Sequence, residues 1–173
     1  VIGGNQLYGR SLRMMSEDLP RLGIETSMVD PGDVAAVRGA LRPETKMILV
    51  EVVSNPTLRL ADVLGLSALA KEAGVLLVID NTFTTPRAFK AFDHGADIVI
   101  HSLTKLLSGH SDVMLGYVAA KDKDINDRLR VFTVPAGMTP SPFACWLAEL
   151  GLFRFQVCFG RPHAPAAVPA ETL

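Results

Sequence analysis

The residues best suited to chemistry lie in one short run, His101-Ser-Leu-Thr-Lys-Leu-Leu-Ser-Gly-His-Ser-Asp-Val113. It puts Lys105 soon after the apolar stretch Ala96–His101 and flanks it with the hydroxyls of Ser102, Thr104, Ser108 and Ser111. A solvated lysine needs no such approach, and a structural one calls for a carboxylate close by. An amine delivered at a strand end among hydroxyls suits condensation with an aldehyde while the hydroxyls hold an anion. Two more apolar runs end on polar residues. Met47–Val53 leads into Ser54-Asn55-Pro56-Thr57, and Val75–Ile79 leads into Asp80-Asn81-Thr82. Each alone has an ordinary explanation, since Asn-Pro makes turns and Asp often caps a following helix. Jointly they send an amide, a carboxylate and a lysine toward one edge of one sheet.

The elements that must position these residues follow a regular alternation. Short β-rich runs recur at Ile24–Val29, Met47–Val53, Val75–Ile79, Ile98–His101 and Gly116–Ala120. Helical spacing fills Ser11–Leu22, Asp33–Leu41, Ala61–Ala73 and Arg87–Phe92. Three helices stop at a glycine just before the next strand, at Gly23, Gly74 and Gly95. Glycine takes the left-handed C′ conformation without a Cβ penalty. Strands apolar on both faces and separated by helices predict an α/β fold: a mostly parallel sheet with helices on both faces, three layers in all. In such sheets ligands gather beyond the carboxyl ends of the strands, where the polar residues above fall.

Composition excludes several classes. The 173 residues carry 17 Lys and Arg against 18 Asp and Glu, a balance unlike a nucleic-acid-binding surface. Hydrophobic residues make up 49%, and mean hydropathy is +0.28, yet no apolar run approaches the roughly 18 residues of a membrane helix. Cys145 and Cys158 lack metal-ligand spacing, so no metal site is expected; two cysteines without a disulfide framework point to a reducing, cytoplasmic setting. The start, Val-Ile-Gly-Gly, has neither methionine nor signal pattern and suggests a fragment.

The chemistry that unites lysine, carboxylate and hydroxyls is that of pyridoxal 5'-phosphate (PLP). Its aldehyde needs a lysine, its ring nitrogen an acidic partner, and its phosphate a set of hydroxyl and amide donors. At these residues the sequence resembles the Cys/Met-metabolism family of PLP enzymes, which includes cystathionine γ-lyase and γ-synthase. The resemblance is carried by Tyr8-Gly-Arg-Ser11, Arg42–Leu58, Gly74–Pro86 and Gly95–Val113, with a looser match at Ser141–Leu152. It implies a fold-type-I, aspartate aminotransferase-like large domain. It also implies that Lys105 carries the cofactor and Asp80 pairs with the pyridine nitrogen. Ser102 and Thr104 would bind phosphate, Asn55 would sit near the ring hydroxyl, and Thr82 would support the ring from below. Tyr8 would stack on the ring and serve as acid or base.

Other residues have structural readings. His101 is expected to be a hydrogen-bonded core histidine, His110 to order its loop, and Glu51 to make an ion pair or bond a backbone amide. Met14, Met15 and Trp146 are expected in the core. Arg10 stands where the family usually has a small residue, or cysteine in methionine γ-lyases, which counts against that activity. Asp112-Val-Met-Leu-Gly116 departs from the family's usual glycine pair. Residues 1–151 are read as the central part of the PLP-binding large domain and 152–173 as a divergent tail, whose Pro162, Pro165 and Pro169 would break a helix. An N-terminal arm, a phosphate loop and a small C-terminal domain would lie outside this chain.

The expected activity is carbon–sulfur lysis or γ-replacement on sulfur-containing or O-acylated amino acids, in a dimer of dimers. The alternatives are another fold-type-I PLP enzyme (methionine γ-lyase, cystathionine β-lyase, aminotransferase) or a catalytically silent fragment.

Overall fold

A computed structural model of the chain describes residues 1–155. These divide into two compact units: residues 1–100 with 118–127, and residues 101–117 with 128 onward. The chain passes from one to the other twice within strands, at 100–101 and 117–118, and once within a helix, at 127–128.

The strands are β1 (Ile2–Gly4), β2 (Ser27–Val29), β3 (Met47–Glu51), β4 (Leu76–Asp80), β5 (Ile98–Ser102) and β6 (Gly116–Ala120), in the order β2-β1-β3-β4-β5-β6, the first four lying wholly in the first unit. The pairs β1–β2, β1–β3, β3–β4 and β4–β5 are all parallel. From β1 the chain steps outward to β2, then returns past β1 to β3 and continues to β4 and β5. The connections leaving β1 and β3 therefore diverge, and between these strands lies the topological switch where such sheets open a crevice.

Residue alternation places two cores on the two faces. Ile48, Val50, Leu77, Ile79 and Val99 pack with Val37 of α3 (Val34–Ala40) and with Val63, Leu66, Leu69 and Ala70 of α4 (Val63–Ala73). Leu49 and Val78 point the other way, onto Leu7 and the fully buried Met15. Met15 belongs to a helical stretch that begins as α1 (Gly9–Arg13), widens to a π turn at Met14–Asp18 and ends as α2 (Leu19–Arg21). Truncating a buried leucine such as Leu66 to alanine would cost about 2–5 kcal/mol.

Local signals set the helix ends. The Asp33 side chain accepts from Ala36 N–H at the start of α3, and Asp62 from Gly65 N–H at the start of α4. Gly23, Gly74 and Gly95 all take left-handed φ values (77°, 67°, 92°), as their stop signals predicted.

Several expectations need correction. Strand Ile24–Val29 shortens to Ser27–Val29, and Met47–Val53 stops at Glu51 before an isolated antiparallel bridge, Val53–Leu60. The helix expected at Arg87–Phe92 is broken into α5 (Thr85–Ala88) and a 3-10 turn at Ala91–His94. Strand β1 and helix α6 (Lys123–Thr133) had not been anticipated; α6 buries no residue among those described.

In the second unit a helix over 142–155 packs Gly151 against the backbone of Ser108, and Ala148 and Phe155 are buried. Trp146, expected in the core, is 52% exposed, and Met14 is exposed as well. A helix face shows one side to the interior, and Ala148 takes that side here. Of the expected tail, residues 152–155 continue this helix; Pro162, Pro165, Pro169 and Cys158 lie outside the described residues. Cys145 is free and exposed. Among the described residues no helix is long and apolar enough to cross a membrane, and no cluster of His, Cys, Asp or Glu could hold a metal ion.

Candidate active site

In the first unit four of the expected site residues are linked at the carboxyl ends of β1, β3 and β4. The link is Glu51, the last residue of β3, which is almost fully buried. Its Oε1 accepts the backbone N–H of Tyr8 at 2.6 Å, and its Oε2 accepts that of Asn55 at 3.4 Å. Tyr8 lies in the loop leaving β1, at the N-cap of α1, with its side chain 46% exposed. Asn55 lies in the loop leaving β3 and precedes a cis peptide bond to Pro56. The structural role expected for Glu51, bonding a backbone amide, is borne out, and it extends to two amides.

Asp80 closes β4 and is the cross-strand neighbour of Glu51. Its Oδ1 accepts both the N–H of Thr82, at 3.0 Å, and the Thr82 hydroxyl, at 2.5 Å. Thr82 therefore orients the carboxylate and takes up only one of its oxygens. Burial pushes the Glu51 carboxyl above its usual range, the neighbouring Asp80 charge adds to this, and the two backbone N–H donors oppose it.

Asn81, which the sequence reading passed over, is the pin of the β4 loop. It is buried, accepts the Thr84 hydroxyl, donates to the Phe89 carbonyl at 2.7 Å, and its own N–H bonds the Ile100 carbonyl. The signal was present in the Asp-Asn-Thr run, but an amide two-faced enough to tie a loop looks no different in sequence from any turn asparagine.

The second unit holds Ser102, Thr104 and Lys105. Ser102 ends β5, and the chain then enters a turn over Leu103–Leu107 whose backbone leaves helical dihedrals at Lys105 (φ −91°, ψ −131°). Lys105 is exposed, while Ser102 and Thr104 are half-buried. The Thr104 hydroxyl accepts from Leu115 N–H at 3.0 Å and donates to Leu115 O at 3.4 Å, closing the loop that leaves and rejoins the sheet. The Lys105 carbonyl accepts Gly109 N–H at 2.9 Å. His101 is buried as expected, its ring 6.3 Å from that of Tyr117. His110 orders its loop as expected: Nδ1 donates to the Ser108 carbonyl at 2.7 Å.

Each of the segments following β3, β4 and β5 also contains a non-glycine residue at left-handed φ: Leu58, Thr85 at the start of α5, and Ser111 (54°, 57°, 58°). Such conformations cost about 1–3 kcal/mol each and concentrate at functional sites.

A parallel sheet of this order, with a carboxylate, an amide and a lysine on successive strand-end loops, has the form of a doubly wound α/β cofactor-binding domain. The family model of the Cys/Met metabolism PLP-dependent enzymes matches residues 1–173, and the chain belongs to that family. Over its full length it is 45% identical to a canavanine gamma-lyase of Rhizobium leguminosarum bv. trifolii, covering 43% of that protein. It is 43% identical to a cystathionine beta-lyase of Bacillus subtilis, over 99% of this chain and 44% of the relative. The crystal structure of cystathionine gamma-lyase from Lactobacillus plantarum, complexed with L-serine, superposes with a TM-score of 0.87 at 35% identity, over 90% of this chain and 41% of that one. The chain thus spans less than half the length of these relatives.

Proposed function

We propose that this chain is the central part of the large domain of a PLP-dependent enzyme that cleaves or replaces the γ or β substituent of sulfur-containing or O-acylated amino acids. The observation that carries the reading is that Asn55, Asp80 and Lys105 fall at or just after the carboxyl ends of three successive strands in a chain of this family. The residues fit the cofactor. Asp80 keeps one carboxylate oxygen for a ring N–H while Thr82 fixes the other. Lys105 is exposed and reachable by an aldehyde. The Thr104 hydroxyl donates only across a long 3.4 Å bond, which it can exchange for a phosphate oxygen alongside Ser102.

Bound PLP would supply an electron-withdrawing ring that stabilises negative charge at the substrate's α carbon. Asp80 would hold the proton on the ring nitrogen through a charge-assisted bond worth about 1.5–3 kcal/mol. Lys105 would hold the cofactor through its aldehyde, and its amine, when free, would take the α-proton of the substrate. Tyr8 would pack against the cofactor and carry protons to or from the leaving group, Asn55 would help hold the cofactor, and Thr82 would act through Asp80, whose carboxylate it orients. The whole enzyme would be a cytoplasmic dimer of dimers, its N-terminal arm and small domain completing each pocket. Cystathionine γ-lyase or γ-synthase chemistry is favoured. Alone, residues 1–151 with their tail would bind PLP weakly and turn nothing over.

Borohydride reduction of the full-length, PLP-loaded enzyme followed by peptide mapping tests the assignment. The label is expected on Lys105; label on Lys46, Lys71 or Lys90 instead would refute it. Assays with cystathionine, O-acylhomoserine and methionine then define the reaction, and transamination with no elimination or replacement product would overturn it.

A further inference from the structure

Glu51 sits at the sheet's switch point, between the loops that leave β1 and β3. Its buried carboxylate accepts a backbone N–H from each of them. Loops at such a switch diverge to opposite faces of the sheet, so nothing in the sheet's own ladder fixes the distance between them. A single buried acceptor with two oxygens can. The contact to Tyr8 N–H, at 2.6 Å, is the shorter and the stronger of the two. It lies at the N-cap of α1, where Tyr8 makes no side-chain cap of its own and its carbonyl accepts Leu12 N–H at 2.9 Å. The bond therefore fixes where α1 begins and from which point the Tyr8 ring projects. The neighbouring Leu7 is buried, and the bond to Tyr8 N–H restrains the orientation of the Leu7–Tyr8 peptide plane. A carboxylate buried beside a second carboxylate, Asp80, is a costly choice for a purely structural position, where an apolar residue would pack without charge.

We infer that Glu51 is a positioning residue: it clasps the Tyr8 backbone, and more weakly that of Asn55, so that the Tyr8 ring stands at a fixed place at the carboxyl edge of the sheet. The inference deepens the proposed function and rests on the role given there to Tyr8.

Two measurements on the full-length enzyme test it. The first needs no turnover: amide hydrogen exchange in wild type, Glu51→Gln and Glu51→Ala. Exchange at Tyr8 is expected to accelerate about tenfold or more in Glu51→Ala and less in the isosteric Glu51→Gln, in line with loss of a charge-assisted bond. Amides of Ile48–Val50 should keep their protection. Unchanged exchange at Tyr8, or equal acceleration throughout β3, overturns the clasp. The second is a double-mutant cycle on turnover. Glu51→Gln is expected to lower kcat about tenfold when Tyr8 is present and by less than about twofold in a Tyr8→Ala background. Equal losses in the two backgrounds would show that Glu51 acts on the fold at large and overturn the inference. Wild-type turnover by Tyr8→Ala would instead refute the catalytic role of Tyr8, while exchange at residue 8 still decides whether Glu51 holds it.

Discussion

Replacing Gly151 by alanine sets two effects against each other within one helix. A Cβ built on Gly151 would lie 2.2 Å from the Ser108 carbonyl oxygen, 2.5 Å from its Cα and 2.7 Å from its carbonyl carbon. All three are backbone atoms, so no side chain can rotate away, and the helix over 142–155 must lift from the Lys105 turn. Overpacking of this kind costs about 1–3 kcal/mol, and contact with backbone belongs in the upper half of that range. Alanine's better helix propensity returns about 1 kcal/mol. The net loss is about 1–2 kcal/mol, or roughly a five- to thirtyfold rise in local opening. The displaced atoms belong to the residue just before Gly109, whose N–H bonds the Lys105 carbonyl, so the effect reaches the Lys105 turn. Native-state exchange in the full-length protein reads it directly, through faster exchange at Gly109 and along residues 142–155. Gly39→Ala is the matched control. Gly39 lies exposed within α3 with nothing within 4 Å of an added Cβ, and the change should stabilise by up to about 1 kcal/mol. If Gly151→Ala left the exchange unchanged, or slowed it as Gly39→Ala should, the close approach to Ser108 would not be a constraint.

Asp80→Asn in the full-length enzyme should cut turnover at least a hundredfold while cofactor content falls far less, because an amide cannot hold a pyridinium proton; near-normal turnover would contradict the role. Glu51 also predicts a pH dependence. Its folded pKa is raised above the 4.5 of a free glutamate, so the fold favours its protonated form. That contribution is fully present below 4.5 and is lost as pH rises through the folded value, and Glu51→Gln should flatten this part of the stability profile in urea unfolding. Identical slopes for the two proteins would show that the carboxyl is not perturbed.

The alternation of apolar runs, helical spacing and glycine stops was enough to read the α/β class and most element positions. These are local properties: a strand buried on both faces must be apolar throughout, and a helix stop at Gly23, Gly74 or Gly95 depends on that residue's own φ. The same logic exposed Asn55, Asp80 and Lys105, because strand ends can be counted along the chain. Strand β1 escaped notice since two of its three residues are glycine and carry no side-chain pattern, whereas α6 was missed although Ile125, Leu129 and Phe132 recur at helical spacing. Trp146 was misplaced for a related reason: helical spacing gives the faces of a helix but not which one meets a neighbour. The order β2-β1-β3-β4-β5-β6, and with it the switch point, depends on pairings between residues distant in sequence. Only that tertiary pairing could make Glu51, a plain strand-end glutamate in the sequence, the acceptor for an amide 43 residues before it; its contact to Asn55, 4 residues on, is local.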